Sequence, residues 1–508
     1  MTDTLSISLV SHTNAGKTTL ARTLLGRDVG EVRDEAHVTE VAEPHLLVES
    51  SDGDRLLLWD TPGFGDSGRL ARRLAQAGNP LGWVLTEVWD RWRDRPFWAS
   101  QHAIRHVLGE ADVALYLVNA AEQPEDAGYL APELQVLGLL GKPVVVLLNQ
   151  LGPPGSAAAE AQQLQQWQTH LAALAAQPAA LAIARVQAVL PLDAFARCWV
   201  QEGVLLQAVA TALPAVRQPA MQRLTAAWAT RQQTVWRQAM ALLAGRLARA
   251  AADREALPDA GWRAPLQRLA AGLGQALGLP TGADGDPQAR AMAALAARLD
   301  ADIRQGTDAL IQLHGLGGQA SGEVLDQLAR HFARRMPVDE GRAALWGGAV
   351  AGALAGLKAD IATGGLTLGG GLLAGGVLGA LGAAGAARGV NKLRGLREPL
   401  LAWDDDVLDG LLRAALLGYL AVAHHGRGRG DWQPAEPPAA WADAVDAALA
   451  ARRAAVQALW SQRADWLADA PAPADLDRWQ AAVGALLAEA SADVLRQLYP
   501  AAARVAGL

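Results

Sequence analysis

A single cysteine, Cys198, excludes an intramolecular disulfide and a thiolate metal cage. Lysine is almost as scarce: it stands only at Lys17, Lys142, Lys358 and Lys392, and arginine supplies the rest of the positive charge. Even so, 45 basic residues fall short of 52 acidic ones, leaving a net charge of −7. That balance provides no global basic field, so no nucleic-acid partner is expected. Aromatics other than tryptophan are few, so alanine and glycine carry much of the apolar content, which favours close helix contacts over extensive sheet. No basic stretch precedes an apolar run at Met1-Thr2-Asp3-Thr4. A secretory signal is therefore not expected, and a reducing cytoplasm fits.

What is present divides the chain, which at 508 residues exceeds one ordinary domain. Residues 1–215 alternate between strand and helix patterns. Leu5 to Val10, Arg55 to Trp59, Val113 to Val118 and Val144 to Leu148 are strand-like, the last two almost continuously apolar, as central strands covered on both faces are. The expected fold is an α/β domain with a doubly wound, mostly parallel sheet, followed by a mainly α-helical C-terminal region. Beyond it, residues 216–340 read as a helical domain, 341–395 as a glycine-rich apolar helical hairpin and 396–508 as C-terminal helices. The hairpin carries two uncharged runs separated by Lys358 and Asp360, with glycines four apart at Gly348, Gly352, Gly356 and at Gly371, Gly375, Gly379. Such rows let helix backbones approach closely, in a bilayer or in a soluble bundle.

The chemistry concentrates near the N-terminus. Ser11-His12-Thr13-Asn14-Ala15-Gly16-Lys17-Thr18 follows the first strand and opens a helix, as a phosphate-binding P-loop must. Gly16 permits close backbone approach, Lys17 sets a cation on the β and γ phosphates, and Thr18 offers an oxygen to Mg²⁺, while serine replaces the usual first glycine. Alone, this could be an ordinary strand-to-helix turn. Asp60-Thr61-Pro62-Gly63 at the end of the next strand has the order and spacing of the partner motif, with Asp60 a Mg²⁺ ligand through water and the Gly63 N–H a γ-phosphate sensor. Thr39, in the polar stretch from Arg33 to Glu43, is the candidate switch threonine closing on Mg²⁺. The expected nucleotide-binding residues are Asn14, Ala15, Gly16, Lys17, Thr18, Thr19 and Asn149; the metal ligands are Thr18, Thr39 and Asp60; Lys17, Thr39 and Gly63 serve hydrolysis. Phe64 stands where a water-orienting glutamine is found in Ras-like proteins, and an apolar side chain cannot hold the attacking water. Base recognition departs further. Where an Asn-Lys-x-Asp motif would place an aspartate on the guanine N1 and N2 hydrogens, this chain has Asn149-Gln150-Leu151-Gly152.

These stretches, with Leu192 to Trp199 and Asp360 to Gly369, resemble bacterial GTPases in which an Era/TrmE-like domain is fused to a long C-terminal domain of unknown function. The resemblance runs from the P-loop to about residue 420. It implies GTP as ligand, Mg²⁺ as cofactor, GTP hydrolysis, and a K⁺-ligand role for Asn14. The leading reading is a slow GTPase switch, cytoplasmic or at the bacterial inner membrane, whose residues 343–394 meet lipid or a membrane protein. A homodimer is one source of the missing catalytic group. Dynamin-like membrane remodelling and a non-hydrolysing nucleotide-binding scaffold are the alternatives. Trp83, Trp89, Trp92 and Trp98 read as core packing. His12, His37, His102 and His106 are too scattered for zinc, and His102 and His106 read as an exposed helix face.

Overall fold

The computed structural model describes residues 2–13, 15–27, 29, 42–86, 95–152, 157–177, 181–196, 198–256, 287–316, 400–403, 405–426, 438–463, 466 and 470–508. Asn14, Thr39, Trp89, Trp92 and the whole 341–395 segment lie outside them.

Six strands form one sheet in the order β2-β3-β1-β4-β5-β6. They are β1 (Thr4–Ser11), β2 (Glu43–Glu49), β3 (Arg55–Asp60), β4 (Val113–Asn119), β5 (Val144–Asn149) and β6 (Val186–Pro191). Only β2 runs antiparallel, at the edge beside β3. The apolar runs 113–118 and 144–148 are the two central strands, buried along their length. The strand order changes direction around β1, which opens a crevice at the carboxyl ends of the strands, where α/β folds bind ligands.

Alternating side chains send the sheet into two cores. Val10, Ala114, Tyr116, Val118, Val146 and Leu148 face one side. There they meet α2 (Ser67–Gln76), α3 (Pro80–Thr86), α4 (Arg95–Glu110), α5 (Leu130–Leu140) and α6 (Ala157–Ala176). Leu5, Ile7, Leu9, Leu56, Leu115 and Leu147 face the other. That second core takes in α1 (Lys17–Leu25), α7 (Trp199–Ala212) and the 35-residue α8 (Gln218–Ala252), then continues without a break into the helices Asp405–Ala423 and Pro473–Leu498. Residue 215 falls in the turn between α7 and α8, yet the apolar packing does not divide there.

Polar bonds reinforce the joint. The Arg223 guanidinium of α8 donates to both oxygens of Asp54, at 2.6 and 3.1 Å, in the tight turn between β2 and β3. Those bonds, with the N–H of Asp3, hold the Asp54 carboxyl well below the usual carboxylate range. Arg217 donates to the Thr4 carbonyl at 2.9 Å, and Arg231 to the Leu47 carbonyl at 3.3 Å. A short antiparallel pair, β7 (Arg254–Ala256) and β8 (Leu400–Ala402), ties α8 to the later helices.

Trp83 and Trp98 pack partly buried against the core of the second-switch side. The exposed-face reading of His102 and His106 is corrected. His106 Nε2 lies 3.0 Å from Ser8 Oγ with its ring 4.5 Å from that of Trp59, and His102 packs against Trp98. His106 faces the sheet because α4 packs over β1. Among the described residues no helix is long and apolar enough to cross a membrane.

Candidate nucleotide site

The phosphate loop leaves β1 at Ser11 and enters α1 through Gly16, whose φ of 87° is left-handed and costs glycine little. A side chain there would also collide with the Asn149 amide, since an added Cβ would lie 2.8 Å from Asn149 Nδ2. Thr19 sits half-buried in the first turn of α1, and Ala15 is buried.

The Lys17 side chain is buried, with Nζ donating to Ser11 Oγ at 2.9 Å. Serine at position 11 thus holds the cation. Burial pushes the Lys17 pKa down, opposed by the carboxylates of Asp60 and Glu133. Gly63 lies directly over the ammonium: an added Cβ would come 3.1 Å from Lys17 Nζ and 3.0 Å from Thr13 Cα. A side chain at position 63 would therefore crowd the lysine in its channel.

Asp60 closes the constellation from β3. Its Oδ2 accepts the Thr18 hydroxyl at 2.5 Å, whereas Oδ1 is buried without a hydrogen-bond partner. Burial raises the Asp60 pKa, against the Thr18 bond and the Lys17 charge. A buried cation short of anions thus lies beside a buried carboxylate with an unused oxygen. A phosphate–Mg²⁺ pair answers both, so the residues present fit the metal: Thr18 and Asp60 would hold it, directly or through water.

The segment after Asp60 is stapled to the loop. Phe64 N–H donates to the Ser11 carbonyl at 2.8 Å, while Thr13 donates to the Phe64 carbonyl through both N–H and hydroxyl, at 3.2 and 2.8 Å. The Phe64 ring is wholly buried among Val10, Leu70 and Tyr116. It anchors the junction and faces away from any attacking water.

A second polar group was missed by sequence reasoning. His12 Nδ1 meets Glu133 Oε1 at 2.7 Å, and Tyr116 donates to Oε2 at 2.8 Å. Ser67, the first residue of α2, also hydrogen-bonds this carboxylate. The His12 ring stacks on Tyr129 at 4.8 Å. Glu133 therefore joins the phosphate loop, β4 and α2 at one buried point. Burial raises its pKa against those three bonds. One signal could have exposed it: Glu133 is the lone charge in the apolar helix Leu130–Leu140.

On the opposite flank Asn149 is fully buried and used at both ends. Its Nδ2 donates to the Ala15 carbonyl at 2.9 Å, and its Oδ1 accepts from the Ala194 N–H at 2.8 Å. Ala194 belongs to the Leu192–Trp199 stretch. That stretch is held from both sides: Ala196 pairs with His425 of the helical region, and the Ala194 carbonyl accepts the hydroxyl of Thr23 in α1 at 2.9 Å. Gly426 approaches so closely that an added Cβ would lie 2.2 Å from the Ala194 carbonyl oxygen.

The structure places Gly16, Lys17, Thr18, Asp60, Gly63 and Asn149 close to one another around the phosphate loop, whereas Asn14 and Thr39 fall outside the described residues. Residues 6–150 match the family model described as 50S ribosome-binding GTPase, and residues 325–488 match a domain of unknown function, DUF3482. No curated protein matches the chain. Among solved structures, an Era variant from Aquifex aeolicus bound to GDP.AlF4⁻ aligns at 18% identity over 42% of this chain and 57% of its own, with a TM-score of 0.29. Era in complex with MgGDPNP and a segment of 16S ribosomal RNA aligns at 17% over 42% and 58%, also at 0.29. NFeoB of S. thermophilus bound to GDP.AlF4⁻ aligns at 15% over 43% and 77%, at 0.23. The alignments thus span little more than half the length of the two Era chains. The N-terminal part of this chain thus has the mostly parallel α/β fold of a P-loop GTPase domain and carries the match to the GTPase family model, and the mainly helical region after it carries the match to DUF3482.

Proposed function

We propose that the chain is a slow, Mg²⁺-dependent GTP hydrolase that works as a nucleotide switch read by its own helical region. The observation that carries this reading is a continuous relay. Gly426 and His425 hold Ala194 and Ala196, Ala194 binds Asn149, and Asn149 binds the Ala15 carbonyl of the phosphate loop. A loop that moves when phosphate binds must move against this chain of contacts, or move the helices with it.

Hydrolysis would be slow because the chain supplies no glutamine after Gly63, and Phe64 is spent in the core. Mg²⁺, when bound, would neutralise charge on the β and γ phosphates. Lys17 would bind those phosphates, Thr18 and Asp60 would orient the metal, and Gly63 would leave room for both. A second copy of the chain, or K⁺ held at Asn14, would supply what the water lacks. In this reading the protein acts in the cytoplasm and meets the bacterial inner membrane through residues 343–394, on compositional support. The net charge of −7 favours no nucleic-acid partner.

Phosphate release from GTP by the intact chain tests this, run with Mg²⁺ or EDTA, with Na⁺ or K⁺, and with or without liposomes. Turnover of about 10⁻⁴ to 10⁻² s⁻¹, the intrinsic range of P-loop GTPases, is expected with Mg²⁺ and none with EDTA. GTP that binds but is never cleaved under any of these conditions would leave a non-hydrolysing scaffold instead.

A further inference from the structure

The relay also decides what the base end of the site can read. Asp60 and Gly63 fix the metal and γ-phosphate end on the β3 flank of the phosphate loop. The nucleoside must then leave over the opposite flank, across the carboxyl ends of β5 and β6. Few groups there are at liberty. The Asn149 amide is committed to Ala15 and Ala194. Both oxygens of Asp193 are occupied, Oδ2 by the Leu151 N–H at 2.9 Å and Oδ1 by the Phe195 N–H at 2.8 Å. The Ala194 N–H, which could have faced a base oxygen, goes to Asn149. The Gln150 amide lies toward the phosphates, 3.8 Å from where a Cβ of Gly16 would be.

Position 152 is glycine, with φ of 83° and open space where a side chain would begin. No acidic residue occurs from Gln150 to Ala159; the next, Glu160, is already on α6. Guanine presents two adjacent N–H donors that only a paired acceptor such as a carboxylate reads well, and adenine presents a different pattern. A site built around such a pair rejects the wrong ligand by about 10⁴-fold, because its polar groups are then left unpaired. Here the two loops hold each other, and the Asp193 carboxylate at these strand ends is fixed by backbone N–H groups on both oxygens.

We propose that this site takes purine nucleotides through their phosphates without selecting guanine, so that guanine and adenine nucleotides bind with similar affinity. The proposal rests on the nucleotide-binding reading above and narrows its substrate class to purine nucleoside phosphates as a group. Glycine at 152 is the specificity-determining position: it carries no acceptor.

Equilibrium titration of the intact chain with fluorescent GDP and ADP analogues, in Mg²⁺, tests it. The expected ratio of dissociation constants is below about tenfold. A guanine preference above that overturns the proposal, whereas failure of both nucleotides to bind overturns the nucleotide-site reading itself. Gly152→Asp should raise the guanine preference at least about tenfold over the wild type. Gly152→Asn carries the same left-handed backbone, which Asp and Asn tolerate better than other residues, and should not raise it. A folded Gly152→Asp protein with an unchanged ratio also counts against the proposal. Should that variant fail to fold, the wild-type ratio alone decides.

Discussion

Lys17→Ala is expected to weaken binding of a GTP analogue with Mg²⁺ by at least about a hundredfold, roughly 2.7 kcal/mol. The size follows from burial. Lys17 is 8% exposed, so its attraction for phosphate is little screened by water. The His12 side chain of the described loop is turned to Glu133 and cannot replace it. Lys17→Arg should fare little better, because Gly63 and Thr13 leave a channel fitted to a slim ammonium stem. Stability should move the other way. The nucleotide-free fold carries a buried cation whose pKa burial lowers, so its removal should leave the melting temperature unchanged or higher. Calorimetric titration beside a thermal melt checks both. Unchanged affinity in the folded variant would show that the nucleotide sits elsewhere.

Glu133→Ala should cost about 2–3 kcal/mol of unfolding free energy, a large fraction of what a domain holds. It leaves the Tyr116 hydroxyl and Ser67 without their acceptor inside the core, and frees His12 from the loop's inner wall. Glu133→Gln is the sharper variant. One amide oxygen and one NH2 replace two carboxylate oxygens, so Tyr116 keeps its acceptor while His12 must change tautomer to accept from the amide, and an intermediate loss is expected. Urea unfolding of the three proteins measures the series. Equal midpoints would mean that the carboxylate is not the hub its contacts describe.

Much of the sheet and the phosphate site was legible because their signals are local. Continuous apolar runs mark β4 and β5, and Gly16-Lys17-Thr18 with Asp60 to Gly63 report adjacent chemistry through order and spacing. The edge strand β2 was not legible: Glu43–Glu49 is polar at both ends and buried only at Leu47 and Val48. Glu133 was hidden for a different reason. Its partners His12, Ser67 and Tyr116 come from three other elements, and no spacing along the chain announces such a meeting. The same holds for Gly426. A glycine after a helix reads as a cap, and only the fold shows Ala194 against it. The change of composition near residue 215 marked a change of secondary structure. It carried no information on packing, and one core runs through it.

The claim that the helical region senses the nucleotide stands on the contact between Gly426 and Ala194, and the release rate of bound GDP from Gly426→Ala tests it most directly. The added methyl has no room, with a backbone oxygen 2.2 Å from its position, so the Ala194 loop must shift and draw Asn149 from Ala15. Release at least about tenfold faster than from the wild type, with unchanged circular dichroism, is the predicted result. Identical release rates in a folded variant would contradict the account, leaving the helical region packed beside the nucleotide domain without a part in its state.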